Sequence, residues 1–224
     1  MTVIEARAPT DRPSGSGAVA VPPTIEVRRA HEADIPMLAE VLARAFANDP
    51  AISFFVKPAD RRHERMVAGM EAMLRYGSAH LSDTYTTADL AGAAIWTPPG
   101  YSGLTLREWP GMLRQSLFMC GWRGLAAIMS MHRLLEERLK RHVPEQNYYL
   151  SVLGVDPARQ GQGIGSALMQ PILERCDLER VPASLATNLE RNVGLYERHG
   201  FRVVDELPIP GTTIPTWIMR RDPT

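Results

Sequence analysis

Cysteine is scarce in this chain. Cys120 and Cys176 stand far apart, in no CxxC pair and beside no clustered histidines, which argues against a disulfide scaffold and a zinc site and for idle thiols in a reducing compartment. Net charge is also missing. Lys plus Arg and Asp plus Glu each number 25, so nothing predicts a nucleic-acid partner or an anionic membrane surface. There is no long apolar run: Ala18-Val19-Ala20-Val21 is too short for a signal core and meets Pro22-Pro23, and no stretch reaches membrane-spanning length. The expectation is a cytoplasmic protein. HExxH spacing is absent, and so is the Lys-Ser/Thr that follows the glycines of an ATP-binding loop.

What is present is a chain of ordinary hydrophobicity, long enough at 224 residues for one elaborated domain. Residues 1–24 are rich in Pro, Gly, Ser, Thr and Ala and read as a disordered arm, with the domain spanning 25–224. Ile25 to Arg29 alternates like a strand. Ile35, Leu38, Leu42 and Phe46 share one helical face, which Asn48-Asp49-Pro50 ends. A second helix carries Met66, Val67, Met70, Met73 and Leu74 and stops near Gly77. A hairpin runs from Leu81 to Thr97, closed by Pro98-Pro99-Gly100. The least regular part, 101–144, reads as a helical insertion that Trp109-Pro110-Gly111 begins or interrupts. Later strands fall at Ala183 to Thr187, Arg202 to Leu207 and Thr216 to Arg220. Strands and helices mixed around one sheet give an α/β fold.

The most informative stretch is Tyr148 to Ser166. Tyr148 to Val155 is aromatic, β-branched or small, a strand ended by Asp156-Pro157, and Ser166 to Leu173 has helical spacing. Gly161, Gly163 and Gly165 lie between them. Glycine there permits positive φ and close approach to the first, unpaired N–H groups of the helix. The helix dipole adds attraction for an anion. This is a phosphate cradle, with Arg159 beside it as a candidate charge partner.

Gln160-Gly161-Gln162-Gly163-Ile164-Gly165, followed by the segment Glu190 to Phe201, resembles the acyl-CoA loop and second motif of the GCN5-related N-acetyltransferases (GNAT). The layout over about residues 25–221 is similar to the puromycin N-acetyltransferase type. Shared features are Ala47-Asn48-Asp49-Pro50, Ala94-Ile95-Trp96-Thr97 and Pro215 to Met219. The resemblance implies a GNAT acyl-CoA acyltransferase fold. Its sheet would be mixed, mostly antiparallel and splayed open beyond the glycine-loop strand, with helices on both faces and the insertion preceding that strand.

The resemblance also implies acetyl-CoA as co-substrate. Backbone groups of Leu153, Gly154 and Val155 would bond its pantetheine arm. The amides of Gln160, Gly161, Gln162, Gly163, Ile164, Gly165 and Ser166 would receive its pyrophosphate, and Asn192 would help hold it. Tyr196 is the implied acid for the departing thiolate. A phenol near pKa ~10 must then serve a thiol near ~8.5. The related type has a glutamate where this chain has Ala186, so the base is unassigned, with Glu190 and Asp49 as candidates. The expected reaction is direct acetyl transfer to a primary amine of a small molecule, antibiotic or aminonucleoside-like, by a monomer or homodimer. Alternatives are a peptide acceptor and a non-catalytic acyl-CoA sensor.

Overall fold

The computed structural model describes residues 25–56, 61–77, 81, 83–101, 103 and 105–224. The arm expected over 1–24 lies outside them. Seven strands form one sheet in the order β1-β2-β3-β4-β5-β7-β6. They are β1 (Val27–Arg29), β2 (Thr84–Thr87), β3 (Gly92–Thr97), β4 (Tyr148–Val155), β5 (Ala183–Thr187), β6 (Arg202–Pro208) and β7 (Pro215–Arg221). Every neighbouring pair is antiparallel except β4 with β5. Side chains alternate across a strand, so the sheet has two apolar faces, and a separate cluster covers each.

On one face lie α1 (Ile35–Ala45), α2 (Pro50–Phe55), α3 (Arg62–Tyr76) and α4 (Trp109–His142). Leu38, Leu42, Met66, Met70 and Leu74 from α1 and α3 pack there with Ala93, Ile95 and Val152. The methionines of α3 are thus core filler. On the other face are α5 (Ile164–Glu179) and α6 (Glu190–Glu197). Leu168, Met169, Ile172 and Leu173 of α5 pack there with Trp96, Tyr148, Leu150 and Leu185.

Two differences from the sequence reading have plain causes. Asn48-Asp49-Pro50 ends α1, but it also starts α2. The Asp49 carboxylate accepts the Ile52 N–H at 2.9 Å, and Pro50, lacking an N–H, sits in the first turn. In the insertion, 34 residues form one long α4 with Trp109-Pro110 at its start, broken only at Gly121 (φ 66°, ψ −178°). The break leaves the Phe118 carbonyl to the Arg65 guanidinium, which donates to it at 2.7 Å.

α4 lies tight against its neighbours only near its beginning. A Cβ on Gly124 would come within 2.6 Å of the Phe55 carbonyl, and one on Gly69 of α3 would strike Met119. Its only buried residues are Ser116 and Cys120. Beyond them α4 crosses the sheet face to the far edge, where Arg138 meets Asp205 of β6 at 3.2 Å.

Candidate active site

β4 is where the sheet forks. Along one edge it pairs with β3 as far as Val155. Along the other it pairs with β5 for three rungs only, Tyr148, Tyr149 and Leu150 against Ala183, Ser184 and Leu185. β5 then follows β7. A bulge marks the fork. Ile95 pairs with Val152 and Trp96 with Leu150, so Ser151 is an extra residue in β4. A bulge bends and twists its strand, and here the two partners separate. Thr97 and Ser151 exchange a hydroxyl hydrogen bond of 2.9 Å beside it.

The open edge has a definite set of backbone groups. Asp156 N–H donates to the Ala91 carbonyl at 2.8 Å, which fixes the alternation: Gly154 faces β3, while Leu153 and Val155 face the opening. Of the three residues expected to bond a pantetheine arm, Leu153 and Val155 turn their backbone groups to the opening, whereas those of Gly154 face β3. Gly154 answers a different need. A Cβ there would lie 2.6 Å from Leu42 Cδ2 and 3.0 Å from Phe46 Cε2, so its lack of a side chain lets α1 pack on β4.

The loop after β4 is held from several sides. Asp156 accepts the Ala158 N–H at 3.0 Å and pairs with Arg44 of α1 at 2.6 Å. The Gln160 side chain donates to the Val155 carbonyl at 3.1 Å. Gly161 (φ 76°) and Gly163 (φ 81°) take left-handed conformations that any side chain would strain. The first helical bond of α5 is Ala167 N–H to the Gly163 carbonyl, at 3.0 Å. The N–H groups of Ile164, Gly165 and Ser166 precede it, outside the helical ladder. The Ile164 side chain is buried, so only its backbone can serve a ligand. Gly165 has no steric reason of its own: a Cβ would meet only Leu153 and Val155 side chains, at 3.9 Å. Glycine costs a helix up to about 1 kcal/mol against alanine. Space kept clear there at that cost fits a group seated against the helix end. Arg159 stands at the loop as expected, but its guanidinium is bound to Asp89 at 2.6 Å and its Nε to Gln162 at 3.1 Å. Half-exposed pairs of this kind are weak, so a phosphate could displace it.

At the other side of the fork, Asn188 ties the end of β5 to β7 by donating to the Pro215 carbonyl and the Thr216 hydroxyl, at 2.9 and 2.7 Å. This sets the direction of α6. The Tyr196 ring is buried edge-on against Phe201, with centroids 6.0 Å apart. Its hydroxyl has no hydrogen-bond partner among the described residues and is not sealed from solvent. Burial, and then the nearby Tyr149 phenol, raise its pKa well above the ordinary value. Asn192 is half-buried in the first turn of α6. Burial raises the Asp49 carboxyl, and the N–H groups at the start of α2 and the more weakly felt charge of Arg191 offset part of this. Glu190 is exposed, and Ala186 is half-buried on β5. Trp96 belongs to the core.

Residues 132–203 match the family model described as the acetyltransferase (GNAT) domain. The matched segment holds β4, the glycine loop, α5, β5 and α6, which are the parts of the fork. An uncharacterized N-acetyltransferase of Schizosaccharomyces pombe is 23% identical over 207 residues, covering 88% of this chain and 83% of that protein. A Corynebacterium glutamicum structure described as histone acetyltransferase HPA2 and related acetyltransferase superposes with a TM-score of 0.62 at 20% identity, over 89% of this chain and 97% of that one. A Drosophila melanogaster polyamine N-acetyltransferase that forms N-acetylagmatine gives 0.55 at 15%, over 89% and 100%. At such identities the structures speak for the fold, which is that of GNAT acetyltransferases. Family match, curated relative and fold together indicate an N-acetyltransferase.

Proposed function

We propose that the chain transfers an acetyl group from acetyl-CoA directly to a primary amine of a small molecule. The observation that carries this is the fork itself: an unpaired β4 edge, an uncapped glycine-lined helix end and, on the helix that follows β5, a buried phenol whose hydroxyl is without a partner among the described residues. Leu153 and Val155 would bond the pantetheine arm, the amides from Gln160 to Ser166 would take the pyrophosphate, and Asn192 would hold the cofactor from α6. One backbone N–H of Leu153 or Val155 would donate to the oxygen on which negative charge develops. The Tyr196 hydroxyl would protonate the leaving thiolate. Its raised pKa keeps it protonated through the neutral range, as an acid must be.

Direct transfer is favoured over an acetyl-cysteine route. Both cysteines are buried, and burial pushes the Cys176 thiol up to about 12, far from a reactive thiolate. Two unpaired thiols also go with a cytoplasmic site of action. With Ala186 on β5, the base is a water or a side chain outside that strand, or the amine arrives already neutral. α4 passing over the sheet beyond the fork favours a small acceptor of the puromycin-enzyme kind over an extended peptide. GNAT relatives serve both acceptor types, because acceptor sites vary on a shared fold.

The test is acetyl-CoA-dependent release of free thiol against a panel of amines that includes puromycin, aminoglycosides, agmatine and peptides. A rate above the no-amine blank for a small amine supports the reading. A rate with peptides alone turns it to protein acetylation. Stabilisation by acetyl-CoA with no rate on any acceptor turns it to a sensor. Tyr196→Phe should lower turnover about 10²-fold or more with acetyl-CoA affinity unchanged. Equal turnover would remove Tyr196 as the acid.

A further inference from the structure

A second phenol lies beside the fork. Tyr149 lies on β4 two residues before the Ser151 bulge, at the middle of the three rungs that join β4 to β5. Tyr148 points to the α5 face, where its hydroxyl donates to Glu179 at 2.8 Å. By strand alternation Tyr149 points to the opposite face, the one crossed by α4. Across the β3 ladder its partner is Thr97, whose hydroxyl is bonded to Ser151. The Tyr149 ring is thus flanked on its own face by two small hydroxyl residues.

Its hydroxyl, like that of Tyr196, has no partner among the described residues. The two phenols are close enough for one to perturb the other. Burial pushes Tyr149 up to about 12, so it too stays neutral. That hydroxyl is not sealed from solvent, so it is free to exchange a hydrogen bond with water for one with a bound group. Tyr196 lies on the α5 side of the sheet and Tyr149 on the α4 side, one rung before β4 and β5 part. The thioester end of a donor threaded along Leu153 and Val155 would lie between them. One phenol is then placed for the leaving group and the other for whatever approaches from the α4 side.

Resting on the acetyltransferase reading above, we infer that the Tyr149 hydroxyl binds the amino group of the acceptor and aims it at the thioester. As a neutral phenol it accepts one amine N–H, which leaves the nitrogen lone pair free to attack. It is a positioning group and not a base. With no carboxylate at position 186 to take a proton, only an acceptor that arrives neutral has a lone pair to attack, so the preferred acceptors are weakly basic amines that are neutral near pH 7–8.

The experiment uses the full chain and Tyr149→Phe, which keeps the ring and removes only the hydroxyl. Acetyl-CoA affinity is measured by calorimetry. Steady-state kcat and KM are measured with the best amine of the panel and with a strongly basic analogue of it. The expected result is about a tenfold fall in kcat/KM for the amine, carried mainly by KM, with acetyl-CoA affinity unchanged. The wild type should also prefer the weakly basic member of the pair. Unchanged kcat/KM would overturn the inference and leave the acetyltransferase reading standing. So would a parallel loss of acetyl-CoA affinity, because the hydroxyl would then serve the donor. If the wild type transferred to no amine at all, both would fall together.

Discussion

Two long helices flank β4 on opposite faces, and they are attached in different ways. α5 has 16 residues and buries six of them: Ile164, Leu168, Met169, Ile172, Leu173 and Cys176. α4 has 34 residues and buries only Ser116 and Cys120, both in its first half. α5 is therefore part of the core, and its N-terminus, the end proposed to receive the pyrophosphate, is held in place with it. α4 is a cover anchored near its beginning, with a half-exposed apolar stripe after the Gly121 break. The donor side of a transferase has one invariant ligand to hold. The acceptor side can change with little cost to the fold, and the distribution of buried surface matches that division.

The comparison is most severely tested by truncating one residue in each helix. Ile172→Ala in α5 removes a fully buried side chain and should cost about 2–5 kcal/mol in chemical denaturation. Ile128→Ala in α4 should cost under about 1.5 kcal/mol and instead change the KM of the acceptor. Equal destabilisation would mean that α4 is as much core as α5. Next come two glycines at opposite ends of the fork. Gly154→Ala forces a Cβ to within 2.6 Å of Leu42 and should destabilise by about 1–3 kcal/mol, read as a lower midpoint. Gly165→Ala should leave stability equal or up to about 1 kcal/mol higher while weakening acetyl-CoA binding about tenfold or more by calorimetry. Unchanged binding would take Gly165 out of the cradle.

A smaller effect concerns how α5 is fastened at its other end. Arg221 of β7 holds both oxygens of Asp177, at 2.8 and 2.7 Å, and the Thr224 N–H donates to the same carboxylate at 2.8 Å. Arg221 above all keeps Asp177 well below the ordinary carboxylate value, at about 2. The lowered folded-state pKa means that its stabilisation is complete above the unfolded value near ~3.9 and is lost as pH falls towards about 2. Asp177→Asn should cost about 1–2 kcal/mol at pH 7, after discounting for partial exposure, and should flatten the acid limb of the melting curve. An acid limb identical to the wild type would show that the pair does little for stability.

Much of the site was legible because its chemistry is local. Gly161 and Gly163 need positive φ, and that need is met at their own positions in the chain. Asp156-Pro157 ends β4 where the residues change character. α2 was missed although its signal was present: aspartate followed by proline is a helix start as well as a helix end, and the hydrophobic stripe before it drew the wrong choice. Trp96 gave no sign of which face it would take, since a bulge on the neighbouring strand resets the pairing beside it. Tyr149 carried no signal at all, because a tyrosine inside an apolar strand looks like packing.

Sequence alone determined the strand, the glycine turn, the helix behind it and the overall kind of fold, since backbone conformation and hydrophobic period are properties of neighbouring residues. Tertiary structure decided that Gly154 serves α1 while Leu153 and Val155 serve the opening, because that depends on which edge of β4 finds a partner. It also brought Tyr149 and Tyr196, 47 positions apart in the chain, close enough for one phenol to perturb the other. Which side chains of a strand and of a later helix approach each other depends on how those elements pack, and no run of neighbouring residues contains that information.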